Sequence, residues 1–282
     1  MLTSYPMKTT LLRLSLLAVV LALSPIARAA GDVRLGLQTW TCNRMTFDQV
    51  VEFAGKHGIK QLQLISGQFD PAAPREETLR KKAILEAQGL TCYTFGVNKT
   101  SLNKEENRKL FEFAKLIGAK LIVVEPQNPA EWDNLEQLVK EYDIKLAIHN
   151  HGKGTVYGDP ATVRAILAKR DPRIGVCLDV GWVTSAGFDT AKVFREYGDR
   201  VYDIHFKDKK VEKGADGKNV ILDVEIGTGA ANYAGLFAEI KRTGWSGVMA
   251  IETDNRSFQT DPNKMVGEAR KFFDASMAKT AN

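Results

Sequence analysis

Histidine is scarce in this 282-residue chain, four in all, yet two stand two positions apart in LAIHNHGK (146–153), where an apolar run breaks into a loop. A third, His205, is followed two residues later by Lys207, and Glu125, Asp179 and Glu252 end apolar runs of the same kind. Imidazole and carboxylate together make a mixed nitrogen–oxygen donor set, which suits Mn, Co, Zn, Fe or Ni better than Ca or Mg. One such divalent ion beside a carboxylate and a lysine suits proton abstraction next to a carbonyl, the metal polarising the oxygen while a general base moves the proton. The candidate metal ligands are His149, Asp179, His205 and Glu252. Glu252 is the first candidate base, as ligand and proton carrier together, and Glu125 the second. Lys207 is placed to neutralise an oxyanion or protonate a leaving oxygen, or else to form an ion pair with Asp179 or Glu252. His151 is a second acid/base or a contact to a substrate hydroxyl.

Runs rich in Val, Ile and Leu recur at 33–38, 60–65, 90–97, 120–125, 144–149, 173–179, 200–206 and 247–253. Between them lie segments with helical spacing, such as FDQVVEFAGKHG (47–58), and several end in glycine as a helix C-cap does. Strands alternating with helices imply parallel pairing. Eight such units in about 250 residues predict an α/β fold, a single (β/α)8 TIM barrel. VEKGADGKNVILDV (211–224), between the seventh and eighth runs, is predicted to be an inserted hairpin turning at Asp216-Gly217. An open doubly wound sheet would carry a glycine-rich turn after its first strand; here Gln38-Thr39-Trp40 follows, and IGTG (226–229) is expected to be a plain turn.

A TIM barrel holds its active site at the C-terminal ends of its strands, where every charged candidate above falls. Residues two apart in a strand share a direction, so His149 is expected deep and His151 nearer solvent. Gln38, which ends run one, and Trp40, Trp132 and Trp182, which follow runs one, four and six, are candidate substrate contacts, the tryptophans because indole faces suit sugar rings. Trp245 precedes the last run, at the opposite end, and is expected to be structural.

Residues 1–29 combine Lys8 and Arg13, an apolar run from Leu14 to Leu23 and Ala27-Arg28-Ala29, the pattern of a secretory signal peptide. The run is shorter than the roughly 20 residues of a membrane span. The mature barrel is therefore expected over 30–282, exported, in a bacterial periplasm and free of the membrane. Loss of Lys8, Arg13 and Arg28 lowers the formal charge from +5 to +2, which gives no electrostatic case for nucleic acid. Cys42, Cys92 and Cys177 are odd in number, without zinc-type spacing, and are expected to be small buried thiols.

In AIHNHG, RIGVCLDVGWVTSAGFD, RVYDIHFKD and IGTGAANYAGLFAEIKRTGWSGVMAIE, taken in this order, the chain resembles the xylose isomerase-like TIM-barrel superfamily, the sugar phosphate isomerase/epimerase family. The resemblance covers nearly all of residues 30–282. It implies one divalent metal on the last four strands, mapped to His149, Asp179, His205 and Glu252, and a small-molecule carbohydrate as substrate. The chain resembles an exported branch with an HNH motif, with His149 where ketose 3-epimerases carry a glutamate, and with Trp182 where the family often has the histidine of DxGH. Export and the lack of a phosphate loop point to a non-phosphorylated sugar or keto-sugar, processed through an enediolate-type intermediate by isomerisation or epimerisation. Elimination of the aglycone from a 3-keto-glycoside by a lyase, or sugar binding without turnover, are the alternatives. An endonuclease of the same barrel class needs three zinc ions and many more histidines than four. Exposed helix faces of such barrels often pair, so a homo-oligomer stays open.

Overall fold

The eight apolar runs form the strands of one parallel sheet in a computed structural model that describes Met1 and residues 31–281. The signal peptide expected over 1–29 lies, Met1 aside, outside the described residues. The strands are β1 (Val33–Gln38), β2 (Gln61–Leu64), β3 (Thr91–Phe95), β4 (Leu121–Val124), β5 (Lys145–His149), β6 (Ile174–Asp179) and β7 (Val201–Phe206). Then come the two strands β8 (Asp208–Lys213) and β9 (Asn219–Val224), and finally β10 (Gly247–Ile251). Spatial order is β3-β2-β1-β10-β7-β6-β5-β4, with β8 and β9 as a separate antiparallel pair. Between β3 and β4 closure rests on a parallel bridge from Asn98 to Val124, with the Asn98 amide donating to Val123 O (3.0 Å) and the Glu125 amide to Asn98 O (3.1 Å). Glu125 thus leaves the barrel beside this seam.

The helices are α1 (Phe47–Lys56), α2 (Arg75–Ala87), α3 (Lys104–Ile117), α4 (Glu131–Tyr142), α5 (Pro160–Leu167), α6 (Val180–Ser185), α7 (Thr190–Tyr197), α8 (Tyr233–Thr243), α9 (Arg256–Thr260) and α10 (Asn263–Ala281). Local chemistry sets their starts: Thr46 and Gln49 close a capping box on α1, and Asp159 caps α5 ahead of Pro160. The unit after β6 is split, because Asp189 accepts from the Lys192 amide (2.8 Å) and restarts the helix as α7. Among the described residues no helix is long and apolar enough to cross a membrane.

Most of the core lies between sheet and helices, where Phe206 of β7 packs on Tyr233, Phe237, Phe272 and Phe273. A smaller cluster of Leu121, Val123, Ala147 and Cys177, with Tyr202 against it, fills the barrel interior. Polar side chains therefore sit above a packed floor. The three cysteines are buried and free, and burial pushes the thiols of Cys42 and Cys92 up to about 12. IGTG is a turn as expected. The amides of Gly227, Gly229 and Ala231 donate to the Asp208 carboxylate at 3.0, 2.8 and 3.2 Å. A Cβ on Gly229 would stand 2.1 Å from Asp208 Oδ1, so only glycine fits there.

Glu239 of α8 holds the helices behind β6 and β7 together, taking Arg195 of α7 at 2.5 Å and Arg242 at 2.7 Å. The two guanidinium groups lower its carboxyl from 4.5 to about 2. A depressed folded-state value stabilises above the unfolded value and is lost as pH falls through the folded one. Glu239→Gln is therefore expected to lower the melting temperature at pH 7, with the gap to wild type closing between about pH 4.5 and 2 in thermal scans.

Candidate active site

The last four barrel strands, adjacent as β10-β7-β6-β5, each bring one donor to their C-terminal end. His149 closes β5, Asp179 closes β6, His205 is the penultimate residue of β7, and Glu252 follows β10. One donor atom from each lies within 4.8 Å of the others. His149 Nε2 and His205 Nδ1 are both 3.6 Å from Asp179 Oδ2, and His205 Nδ1 is 2.9 Å from Glu252 Oε2. All four residues are buried, and these four atoms have no hydrogen-bond partner. A buried polar atom left without a partner costs about 1–3 kcal/mol, and native proteins keep few of them. Four lone-pair donors aimed at one point fit a cation, and the nitrogen–oxygen set fits a divalent transition metal. A second grouping, Cys177, Asp203 and His205, shares His205. There Asp203 already accepts from Tyr93 Oη (3.0 Å) and Cys177 Sγ (3.4 Å), so it needs no ion.

Local chemistry aims each donor. Asp179 spends Oδ1 on the Trp182 amide at the start of α6 (2.8 Å), which leaves Oδ2 for the cluster. Asn150, between the two histidines, grips the backbone of Asp179 in both directions, accepting from its amide at 2.8 Å and donating to its carbonyl at 3.2 Å. HNH is thus a donor, a brace and an outer histidine. Gln63 of β2 reaches across the barrel and sets its Oε1 2.9 Å from His205 Nε2. An amide oxygen only accepts, so Nε2 carries the proton and Nδ1 turns its lone pair to the cluster.

Lys207, fully buried, stands beside these donors. Its Nζ is 2.6 Å from Asp254 Oδ2, 3.3 Å from Glu252 Oε2 and 3.6 Å from Asp179 Oδ2. Burial alone would lower its value, but the carboxylates of Asp179, Glu252 and Asp254 outweigh burial and hold the ammonium well above the usual lysine range. Asp179 is the converse: burial would raise it, yet Lys207 and the two imidazoles keep it well below the carboxylate range. Glu125 is on the open side, 3.9 Å from His149 Nδ1 and 4.0 Å from His151 Nδ1. Burial raises its value and the two imidazoles bring it below normal. His151 is partly exposed, outside His149 as expected, with its ring 4.5 Å from that of Trp182.

Above the cluster opens a cavity of about 1140 Å³, lined among others by Glu125, His149, His151, Trp182, Trp40 and Asp254. Trp40 is its most open aromatic wall, and its Nε1 donates to Asp254 Oδ1 (3.1 Å). Trp182 lines the cavity too, but Lys209 Nζ sits 3.8 Å over its ring, so one indole face is taken. One expected substrate contact, Trp132, needs correction. Trp132 is buried under α4 against Tyr157, away from the cavity, because it shares the inward face of that helix with Leu135, Leu138 and Val139. Gln38 reaches the cavity wall with both polar ends spent, Nε2 on Gly96 O (2.9 Å) and Oε1 on the Trp40 amide (2.8 Å). Trp245 is structural, donating to Val201 O (2.8 Å). Sequence reading missed Gln63, Asp254 and the buried Lys209–Asp223 pair. Gln63 had a signal, a polar residue at an alternate position of a strand that is otherwise buried.

The description xylose isomerase-like TIM barrel matches residues 49–276. The chain belongs to that family. An inosose dehydratase of Lacticaseibacillus casei is 24% identical, over 93% of this chain and 98% of its own. The probable 3-DHS dehydratase AsbF of Bacillus anthracis superposes with a TM-score of 0.66 at 16% identity, covering 85% of this chain and 98% of its own. The IOLI protein with a binding zinc atom superposes at 0.68 with 15% identity, covering 88% and 99%.

Partners that orient a metal-bound histidine typically contribute 10–100-fold in metal affinity. Gln63→Leu is expected to weaken Zn²⁺ binding by about that factor in a chelator competition titration, and Gln63→Glu, which keeps an acceptor, to restore most of it. Equal affinity in Gln63→Leu and wild type would remove the tautomer-setting role.

Proposed function

We propose that this protein is a divalent-metal-dependent lyase that eliminates a substituent β to the carbonyl of a non-phosphorylated keto-polyol or keto-sugar. One observation carries the reading: four unsatisfied donor atoms converge beside a buried lysine at the closed end of an open cavity. The dehydratase names of a full-length relative and of a structural neighbour, and the zinc of another, support it. Isomerisation or epimerisation, the first expectation from sequence, begins with the same proton abstraction; the relatives favour elimination as its sequel.

A divalent ion held by His149, Asp179, His205 and Glu252 would supply Lewis-acid polarisation of a substrate carbonyl oxygen. Lys207 sets a fixed positive charge beside that oxygen, where negative charge grows as the α-proton leaves. Asp179, Glu252 and Asp254 favour its ammonium form, which suits it to stabilising charge rather than to taking a proton. Glu252 turns Oε2 into the donor cluster, so the proton-carrying role passes to Glu125, which lines the cavity and is held in its anionic form. Glu125 takes the α-proton; the C–H electron pair becomes a C=C bond and the β C–O bond breaks. The departing oxygen takes that proton back from Glu125 and leaves as water or an alcohol, while His151, held below the usual imidazole range by burial and by His149, contacts a substrate hydroxyl. The backbone amides of the IGTG turn are spent on Asp208, in keeping with a substrate that bears no phosphate. We also propose a periplasmic location, supported by the export-signal pattern of residues 1–29.

The test is turnover of an inosose by the Zn²⁺- or Mn²⁺-loaded protein in D₂O, followed by NMR. Loss of water is expected, with the α-hydrogen gone from the product and deuterium entering at the former β-carbon as the enol product ketonises. Glu125→Gln and Lys207→Met should each lower kcat by about 10²-fold or more. Deuterium uptake without elimination would return the reading to isomerase or epimerase, and absence of both would end it.

A further inference from the structure

The inserted hairpin β8–β9 carries an apolar tip that the proposed chemistry does not use. Its base is locked to the end of the strand that bears Glu252. Lys209 pairs with Asp223, whose Oδ2 accepts from Thr253 Oγ1 (3.1 Å) and from the Asp254 amide (2.6 Å). Lys209 and Asp223 are direct cross-strand partners, and so are Val211 and Ile221, one step further out. Directly opposite residues in an antiparallel pair share a face, and the faces alternate along each strand. The face that carries Lys209 and Asp223 into the cavity therefore continues outward as Val211 and Ile221. Ile221 lines the cavity, joined at its edge by Leu222, and Val211, Ile221 and Leu222 are solvent-exposed, at 43%, 41% and 41%. Trp40 and Val97 are exposed elsewhere on the same cavity's wall, at 43% and 37%. Exposed apolar surface concentrated at a cleft marks a binding surface more often than chance scatter does.

The cavity is thus polar at its floor and apolar at its rim. Its volume of about 1140 Å³ exceeds the range, roughly 300–1,000 Å³, that encloses a drug-sized ligand. A single sugar ring over the donor cluster leaves the outer part open. Resting on the lyase reading, we infer that the substrate is a keto-glycoside whose aglycone is apolar, with the sugar ring over the donors and the aglycone between Ile221, Leu222 and Trp40. The elimination balances without a further reactant: the α C–H bond breaks, a C=C bond forms, the glycosidic C–O bond breaks, and the aglycone oxygen takes the proton and departs as an alcohol or phenol. Continuity of the apolar rim with the donor-bearing cavity favours this occupant over a second copy of the chain.

The experiment compares phenyl and methyl 3-keto-glucosides as substrates, and the unreactive phenyl and methyl glucosides as calorimetric ligands, on the full metal-loaded chain. One or two methylene-sized contacts in an apolar pocket discriminate by about tenfold or more. The wild type is expected to favour phenyl over methyl by about tenfold in kcat/KM and in affinity. Ile221→Ser and Leu222→Ser should bring the ratio toward one, and Val220→Ser, outside the cavity lining, should keep it. A wild-type ratio near one, or a ratio unmoved by Ile221→Ser, overturns the inference. So does a dimer in light scattering that Ile221→Ser dissolves, since the rim would then belong to a second copy. A phenyl preference in binding without turnover of either keto-glucoside would sustain the rim and reject the lyase.

Discussion

Uncompensated lone pairs in a buried place are the constraint on which this molecule is built. The donor atoms of His149, Asp179, His205 and Glu252 face one another in a buried place, with the Lys207 ammonium beside the two carboxylates. Two carboxylates among them, with Asp254 beside them, would repel strongly if left alone in a medium of low dielectric. Lys207 offsets one of those charges, and a divalent ion at the donor cluster would offset the other two. Three carboxylates would then match an ammonium and a dication, which would account for a completely buried lysine beside such a site.

The fold makes that balance affordable by fixing each donor with parts that carry no chemistry. Asn150 ties β5 to β6 at the depth of the donors, the start of α6 consumes the spare oxygen of Asp179, and Gln63 sets the proton on His205 from across the barrel. The hairpin base bonds to Thr253 and Asp254 and so steadies the segment just after Glu252. Sites need such supporting contacts because an error of about 1 Å in a ligand or base can cost orders of magnitude in rate. A packed interior of Leu121, Val123, Ala147 and Cys177 beneath gives the donors a floor that does not yield.

Much of this was legible in sequence because parallel strands alternate side chains and a barrel gathers its strand ends. Those two rules place His149 deep, His151 outside it, and His205 with Lys207 on one bearing, as the structure has them. The rules fail where a residue's direction is set by something other than strand alternation. Trp132 follows the fourth strand but turns inward with the phase of α4. Gln38 sits at the right place with its hydrogen-bonding capacity spent on Gly96 and Trp40, a pairing visible only when β1 and the end of β3 are brought together. The Lys209–Asp223 pair depends on hairpin register, which the turn at Asp216-Gly217 suggests but does not fix from sequence. Gln63 was readable in principle, as a polar residue at an inward position of QLQL.

The central claim is that the four strand-end donors hold one divalent transition-metal ion. The most direct measurement is metal content by mass spectrometry of the purified chain, alongside His149→Ala and Asp179→Ala, before and after exposure to Mn²⁺, Co²⁺, Zn²⁺ and Ni²⁺. About one ion per chain in the wild type and none in either variant is the result this account predicts. A wild type that takes up none of these metals, while folded by circular dichroism, would contradict it and leave the donors as a polar network around Lys207.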